Sequence, residues 1–240
     1  MFLPAAATVA QPQSAHEGVD VGKSSSMARL VPAADVENAA NQQYHQLLQQ
    51  AAAKRSLAPP DHPQMQRLLA ISKRLIPQAA PWNDRARTWH WEVNLIGSNQ
   101  VNAFCMPGGK IAFYSGIFDQ LRLTDDEAAM VLGHEMAHAL REHARARLAK
   151  SVAAQGAARL GGAVVSQIFG IDPRITDMLA RGGANLLTLT FSRSDESEAD
   201  LVGMEMAARA GYDPRAAVSL WKKMAQVKKG SPPQWLSTHP

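Results

Sequence analysis

The chain has 240 residues, 46% of them apolar, which is enough for one domain with a buried core. Its formal charge is +4, but aromatic side chains make up only 6% of the sequence and do not alternate with the basic ones. Because nucleic-acid surfaces combine basic and aromatic residues, we expect no nucleic-acid partner. The single cysteine, Cys105, excludes an internal disulfide framework and a thiolate-rich structural zinc site.

The N-terminal part of the chain predicts a linker followed by two helices. Residues 1–34 mix Pro, Gln, Ser, Gly and Ala without periodicity, so we expect a disordered segment or linker before a domain spanning 35–240. Asp35 can cap a helix that runs to about Arg55. Apolar residues at helical spacing predict a second helix over residues 64–76.

A small sheet is predicted after these helices. Residues 89–96 alternate as a strand does, and residues 101–106 and 110–115 flank a Pro-Gly-Gly turn. Two extended runs around such a turn predict an antiparallel hairpin. The remaining sequence favours helices, so the expected fold class is α+β and predominantly helical.

A helix beginning after Thr124 carries the clearest chemical motif. Thr124 and Glu127 have the spacing of a capping box. His134 and His138 lie four residues apart, so their imidazoles project from one stripe and can reach one ion at zinc–nitrogen distances. Glu135 lies beside that stripe and can act as general base towards a water activated by the ion.

The alternative interpretation of this motif is a pair of surface histidines with a solvent-facing glutamate. The capped helix around it favours the metal site instead. His143 lies nine residues after His134, on the opposite face of the helix, so it is not expected to be a ligand.

A third ligand is needed, because a catalytic zinc takes three protein ligands and keeps one open position. A second helix capped by Ser192 or Ser194 presents Glu196 and Asp200 on one face at i,i+4, whereas Glu198 is rotated away. We assign Glu196 to the metal and Asp200 to an imidazole N–H as a hydrogen-bond acceptor. The alternative is an ordinary acidic helix start stabilised by the helix dipole.

Several motifs together resemble one family of zinc metallopeptidases, which includes the CAAX prenyl proteases, HtpX and the periplasmic proteins BepA and LoiP. The resemblance runs from about residue 102 to residue 239, more than half of the chain. Its motifs are N-A-F-x-x-P-G-G-x-I-x-x-x-x-G at 102–116, H-E-x-x-H at 134–138, S-R-x-x-E-x-E-A-D-x-x-G at 192–203, G-Y-D-P at 211–214 and S-T-H-P at 237–240.

The resemblance implies a gluzincin-type protease domain that holds one Zn²⁺ per chain through His134, His138 and Glu196. It is closest to the soluble BepA/LoiP-like branch, whose members are exported or lipid-anchored and act in envelope quality control. A periplasmic or membrane-associated location in a bacterial envelope is therefore expected from the resemblance alone, since the chain shows neither a clear leader nor a lipobox cysteine.

The resemblance also bears on His239, which stands where the family pattern has a histidine near the zinc. That histidine would either bind the oxyanion or occupy the open zinc position and hold the enzyme latent. Relatives continue past this motif, so the domain is expected to be truncated just after Pro240, which bears on the role of His239.

Substrate binding is expected at the hairpin. Residues 110–115, or their partner strand 101–106, can offer an open edge to which an extended peptide adds as a further strand. Asn102 and Phe104 are candidates for substrate contact, although Phe104 also suits a core position.

The Ala/Gly-rich residues 151–189 allow three interpretations: a mobile cover over the cleft, a membrane-facing hairpin with peripheral membrane contact, or helix packing through small residues. The favoured function is a zinc metalloendopeptidase that hydrolyses misfolded or unfolded envelope proteins. The alternatives are a latent chaperone-like assembly factor that keeps the zinc site, and a helical scaffold without metal.

Overall fold

The computed structural model of the chain describes residues 18–159, 185–227 and 239. Within them we number the longer helices α1 to α7 and the strands β1 to β3. The helices are α1 (Ala33–Ala53), α2 (Pro63–Leu75), α3 (Ser115–Leu121), α4 (Asp125–Leu140), α5 (His143–Arg159), α6 (Arg193–Arg209) and α7 (Ala216–Val227). The strands are β1 (Glu92–Ile96), β2 (Ala103–Met106) and β3 (Lys110–Tyr114). This mostly helical layout with one small sheet confirms the predicted α+β class.

The three strands form one mixed sheet in the order β1-β3-β2. The predicted hairpin is confirmed, because β2 pairs antiparallel with β3, with Cys105 opposite Ile111. β1 lies on the other side of β3 and runs parallel to it. The prediction that residues 110–115 could be an open edge is therefore wrong, because β3 is paired on both sides. Of the two candidate strands, only β2 lies at an edge of the sheet.

The N-terminal segment contacts the rest of the chain where the structure describes it. Ala28 and Val31 are buried, and Arg145 of α5 donates a hydrogen bond from Nε to the Val31 carbonyl at 2.5 Å. These contacts hold the segment around Val31 against helix α5, and residues 1–17 lie outside the described residues. The predicted linker before the domain stays a prediction. Asp35 does not cap α1, which begins two residues earlier after Pro32.

Helix α4 lies at the centre of the molecule. It packs against β2, α2, α6 and α7, and all its residues from Glu127 to Leu140 are buried. Because other elements surround α4, it has no solvent-exposed face. The side chains of His134, Glu135 and His138 are therefore buried although they are polar. The predicted capping box is present: Glu127 N donates to Thr124 Oγ1 at 3.2 Å, and Thr124 N donates to Glu127 Oε2 at 2.9 Å.

Two glycines let α4 and α6 approach backbone to backbone. A Cβ atom built on Gly203 would lie 2.5 Å from the backbone nitrogen of His134, and one built on Gly133 would lie 2.5 Å from the Gly203 carbonyl oxygen. Both distances are far below van der Waals contact, so only glycine fits at this crossing. The crossing therefore fixes the separation between His134 on α4 and the carboxylates of α6.

Among the described residues, no helix has the length and apolar character needed to cross a membrane. Most of the Ala/Gly-rich region 151–189, for which a cover, a membrane-facing hairpin or simple packing was considered, lies outside the described residues. Its start continues α5, and Leu186–Thr188 forms a short 3₁₀ turn before α6.

Candidate metal centre

The two histidines of α4 face one another in the interior. Their Nε2 atoms lie 3.1 Å apart, and both side chains are buried. The i,i+4 spacing on one helix produces this approach, as the sequence predicted. Glu135 is buried beside them, on the side of α4 that faces β2.

Helix α6 brings a carboxylate to the same point from a distance of about sixty residues along the chain. Ser192 is its N-cap, accepting from the backbone N–H of Asp195 at 3.3 Å. One turn into the helix, Glu196 places Oε2 3.4 Å from His134 Nε2 and Oε1 3.6 Å from His138 Nε2. Donor atoms from His134, His138, Glu196 and His239 all lie within 4.8 Å of one another.

The donor set fits a tetrahedral metal ion. Zinc bonds of about 2.0–2.1 Å place neighbouring ligand atoms roughly 3.3 Å apart, close to the separations observed here. Glu196 Oε1 is buried and has no hydrogen-bond partner among the described residues, which is costly unless a cation fills the space between the donors. Two imidazoles and a carboxylate are also the donor types that zinc prefers. The residues therefore fit a metal, and the predicted third ligand lies where the assignment requires it.

The electrostatics of the centre favour a positive charge. Burial would lower the pKa of His134, but its hydrogen bonds to Asp200 and Glu196, with the nearby charge of Glu135, raise that pKa to about 10. Burial lowers the pKa of His138 well below its ordinary value, and the neighbouring imidazoles lower it further. The carboxylates thus stabilise one positive charge between the two rings, and a bound metal ion supplies such a charge.

Asp200 lies behind His134, on the side away from the other donors. Its Oδ1 is 2.9 Å from His134 Nδ1, and its side chain is about one-third exposed. A carboxylate at this place accepts a hydrogen bond from the Nδ1–H group of His134. The lone pair of Nε2 is then directed towards the other donor atoms. This is the contact that the i,i+4 spacing of Glu196 and Asp200 led us to expect.

The predicted position of His143 is wrong. Helix α4 ends at Leu140, Glu142 adopts a left-handed conformation with φ of 59°, and α5 begins at His143. The chain reversal carries the His143 ring back against His138, where the two Nδ1 atoms lie 2.9 Å apart. His143 is buried behind a metal-facing imidazole, although it does not belong to the four-donor cluster.

His239 lies at the centre together with Glu135. Its Nε2 is 3.7 Å from Glu135 Oε1, and its ring centroid is 5.2 Å from those of both His134 and His138. Its side chain is buried. The S-T-H-P histidine is thus brought to the place that the sequence pattern suggested, while residues 228–238 and Pro240 lie outside the described residues.

A cleft between β2 and α4 leads to this centre. Asn102 and Phe104 line it, together with Glu135, His138 and His239. The Phe104 ring is only partly buried and also packs edge-on against Tyr44, with centroids 6.4 Å apart, so it serves the core and the cleft at once. The Asn102 side chain accepts from the backbone N–H of Ala103 at 3.0 Å.

Phe191 was not singled out in the sequence. Its ring stacks on His138, with centroids 4.0 Å apart and an interplanar angle of 21°. The only signal is an aromatic residue directly before the Ser192 cap of α6, which a single sequence cannot distinguish from ordinary core packing.

The chain is similar to several known proteases. The chain is 35% identical over 150 residues to the mitochondrial metalloendopeptidase OMA1 of Arabidopsis thaliana, covering 62% of this chain and 29% of that protein. It is 28% identical over 153 residues to the beta-barrel assembly-enhancing protease of Yersinia pestis, covering 61% and 31%. It is 27% identical over 198 residues to the metalloprotease LoiP of Escherichia coli, covering 81% and 73%.

The chain spans less than half the length of the first curated relatives it matches. The model of peptidase family M48 matches residues 62–240, which include both metal-facing helices and all the candidate ligands. This match covers about three quarters of the chain, and the expected metallopeptidase family is confirmed. The chain belongs to peptidase family M48.

Proposed function

We propose that the chain is a zinc-dependent metalloendopeptidase whose active centre consists of His134, His138, Glu196 and Glu135. The observation that carries the proposal is the convergence of two imidazoles and a buried carboxylate from two helices at tetrahedral ligand spacing. A zinc ion bound there would lower the pKa of a coordinated water to about 7 and polarise the substrate carbonyl. We assign residues 35–240 to this peptidase domain.

Glu135 is the proposed general base. Its carboxylate is buried next to the four-donor cluster and lines the cleft, where it can accept a proton from the attacking water and return it to the leaving amine. The low exposure of the site excludes bulk water, which strengthens the interaction of the carboxylate with any positive charge in the cleft.

Polypeptides in extended form are the proposed substrates. β2 is the edge strand beside the cleft, and main-chain pairing with it would hold a peptide with little regard for sequence. Asn102 and Phe104 are the side chains of this strand region proposed to contact the peptide. A site that binds peptides of many sequences would be suited to unfolded or misassembled protein substrates. Similarity to LoiP and to a beta-barrel assembly-enhancing protease supports substrates and a location in the bacterial envelope, and we include peripheral membrane contact in this proposal.

His239 has two proposed roles that the geometry supports equally. From its position 3.7 Å from Glu135 it can donate a hydrogen bond to a developing oxyanion, or it can act as a fourth metal ligand and keep the centre latent. The second role supports the alternative function, a latent chaperone-like assembly factor that retains zinc. Replacing His239 by Ala would lower turnover in the first case and raise it in the second.

The test is proteolysis of an unfolded protein such as casein by the zinc-loaded chain and by Glu135→Gln, with zinc content measured for both. We expect the substitution to abolish cleavage while one zinc per chain is retained, because Glu135 is not a ligand. Cleavage by Glu135→Gln at the wild-type rate would refute the proposal. Stoichiometric zinc without turnover in the wild type, together with binding of unfolded clients that Glu135→Gln leaves unchanged, would favour the chaperone-like alternative.

A further inference from the structure

His138 has a hydrogen-bond partner on the side away from the metal-facing donors. Its Nδ1 lies 2.9 Å from His143 Nδ1, and both side chains are almost fully buried. One of these two nitrogens must donate and the other accept, so the direction of the bond decides which tautomer His138 adopts.

The surroundings of His143 favour one direction of this bond. Its other nitrogen, Nε2, faces two carboxylates: Glu198 Oε2 at 3.5 Å and Asp195 Oδ1 at 4.0 Å. Ionised carboxylates accept hydrogen bonds and cannot donate them, so the proton of a neutral His143 belongs on Nε2. His143 Nδ1 is then an acceptor, His138 Nδ1 donates to it, and His138 Nε2 keeps its lone pair on the side of Glu196.

Further contacts hold this arrangement in place. Glu198 also accepts a hydrogen bond from Nε of Arg141, a buried guanidinium that donates through a second nitrogen to the Gly22 carbonyl at 2.8 Å. In addition, the Phe191 ring stacks on the face of the His138 imidazole. Stacking on Phe191 therefore fixes the plane of the His138 imidazole, and the hydrogen bond to His143 fixes the direction of its Nδ1 atom within that plane.

We propose that His143 is a positioning residue for the metal centre, acting on His138 as Asp200 acts on His134. Through a chain of contacts from Arg141 to Glu198, it holds His138 in the tautomer and orientation that a metal ion requires. This inference deepens the proposed function and depends on the metal site. Residues that accept the free N–H of a ligating histidine commonly change metal affinity by about 10–100-fold when removed.

The test compares two substitutions of similar size. In His143→Asn, the side-chain oxygen takes the position of Nδ1 and can still accept from His138, whereas His143→Leu fills the space without an acceptor. Zinc dissociation constants of the full chain would be measured by competition with a chromophoric chelator, and unfolding midpoints would be measured on the metal-free proteins. His45→Leu, at an exposed position of α1, is the matched control.

We expect His143→Leu to weaken zinc binding by about 10–100-fold, His143→Asn to stay within about threefold of wild type, and His45→Leu to leave it unchanged. The visible spectrum of the cobalt-substituted protein should change for His143→Leu and be restored in His143→Asn. Equal losses of affinity in the Leu and Asn variants, following equal losses of metal-free stability, would overturn the inference and leave a packing role. Unchanged affinity in His143→Leu would also overturn it, whereas absence of zinc binding by the wild type would refute the proposed function itself.

Discussion

Replacing Gly203 by alanine tests whether the close helix crossing sets the geometry of the metal centre. A Cβ atom at this position would lie 2.5 Å from the His134 backbone nitrogen and 2.6 Å from the Gly133 carbonyl carbon. Ordinary contact begins at 3.4 Å, so α4 and α6 must separate or slide by somewhat less than 1 Å. Backbone atoms rather than flexible side-chain ends make the clash, so local rotamer changes cannot relieve it.

Two effects of opposite sign determine the stability of Gly203→Ala. Alanine favours a helix over glycine by about 1 kcal/mol, which on its own would stabilise α6. Overpacking of a close contact costs about 1–3 kcal/mol, and more when only backbone can move. We expect a net loss of about 1–2 kcal/mol in the free energy of unfolding.

The consequence for metal binding is larger than that for stability. Ligand distances in a metal site hold to within about 0.2 Å, and a helix shift several times larger moves Glu196 away from the histidine pair. We therefore expect zinc affinity to fall by more than about tenfold. Urea unfolding of the metal-free protein and chelator competition measure the two quantities separately.

Leu201→Ala is the control, because Leu201 lies on the same helix two residues earlier and its side chain is 43% exposed. It should change both quantities little. If Gly203→Ala were as stable as the wild type and bound zinc equally well, the helix crossing would not control the site, and the reasoning from the two glycines would be refuted.

Three further predictions concern the acid–base groups and the metal. Glu127→Gln should lower stability by about 1.5–3 kcal/mol, because buried Glu127 accepts hydrogen bonds from Lys223 at 2.6 Å and Ser219 at 2.7 Å, which hold α7 on α4. Burial would raise the pKa of Glu127, but these hydrogen bonds outweigh it and the pKa is lowered, so its stabilisation is complete above about pH 4.5 and is lost on further acidification. Asp200→Asn should weaken zinc binding by about 10–100-fold, because the amide no longer supplies a charged acceptor to His134. Chelation of zinc should lower the thermal midpoint of the wild type, and Glu196→Gln should remove most of that difference.

The measurements for these predictions are equally direct. Denaturant unfolding between pH 6 and pH 3 should show a flatter acid limb in Glu127→Gln than in the wild type, and identical limbs would contradict the assignment of the shifted pKa to this carboxylate. Chelator competition tests Asp200→Asn, where wild-type affinity would show that the contact with His134 does not matter. A thermal scan with and without chelator tests Glu196, and a metal-dependent shift of wild-type size in Glu196→Gln would exclude it as a ligand.

Local signals explain why much of the centre could be predicted from the sequence. The capping box of Thr124 and Glu127 fixes the start of α4, and regular helix geometry then places His134 and His138 on one stripe. The Ser192 cap likewise fixes the start of α6. Regular helix geometry then places Glu196 and Asp200 on one face and Glu198 on another. In each case the information lies within a few residues of the group it positions.

Features that depend on contacts between segments far apart along the chain could not be predicted from the sequence. The parallel pairing of β1 with β3 joins segments separated by the hairpin, and no local pattern shows that β3 is central. The turn that brings His143 to His138 uses a left-handed Glu142, where neither glycine nor proline marks the end of α4. The buried N-terminal segment around Val31 has too few apolar residues to show periodicity.

The most direct test is the anomalous difference density at the zinc absorption edge in crystals of the zinc-loaded chain. We predict one peak about 2.0–2.1 Å from the Nε2 atoms of His134 and His138 and from the carboxylate of Glu196. A peak elsewhere, or one bound by the two histidines while Glu196 points away, would contradict a metal centre shared between helices α4 and α6.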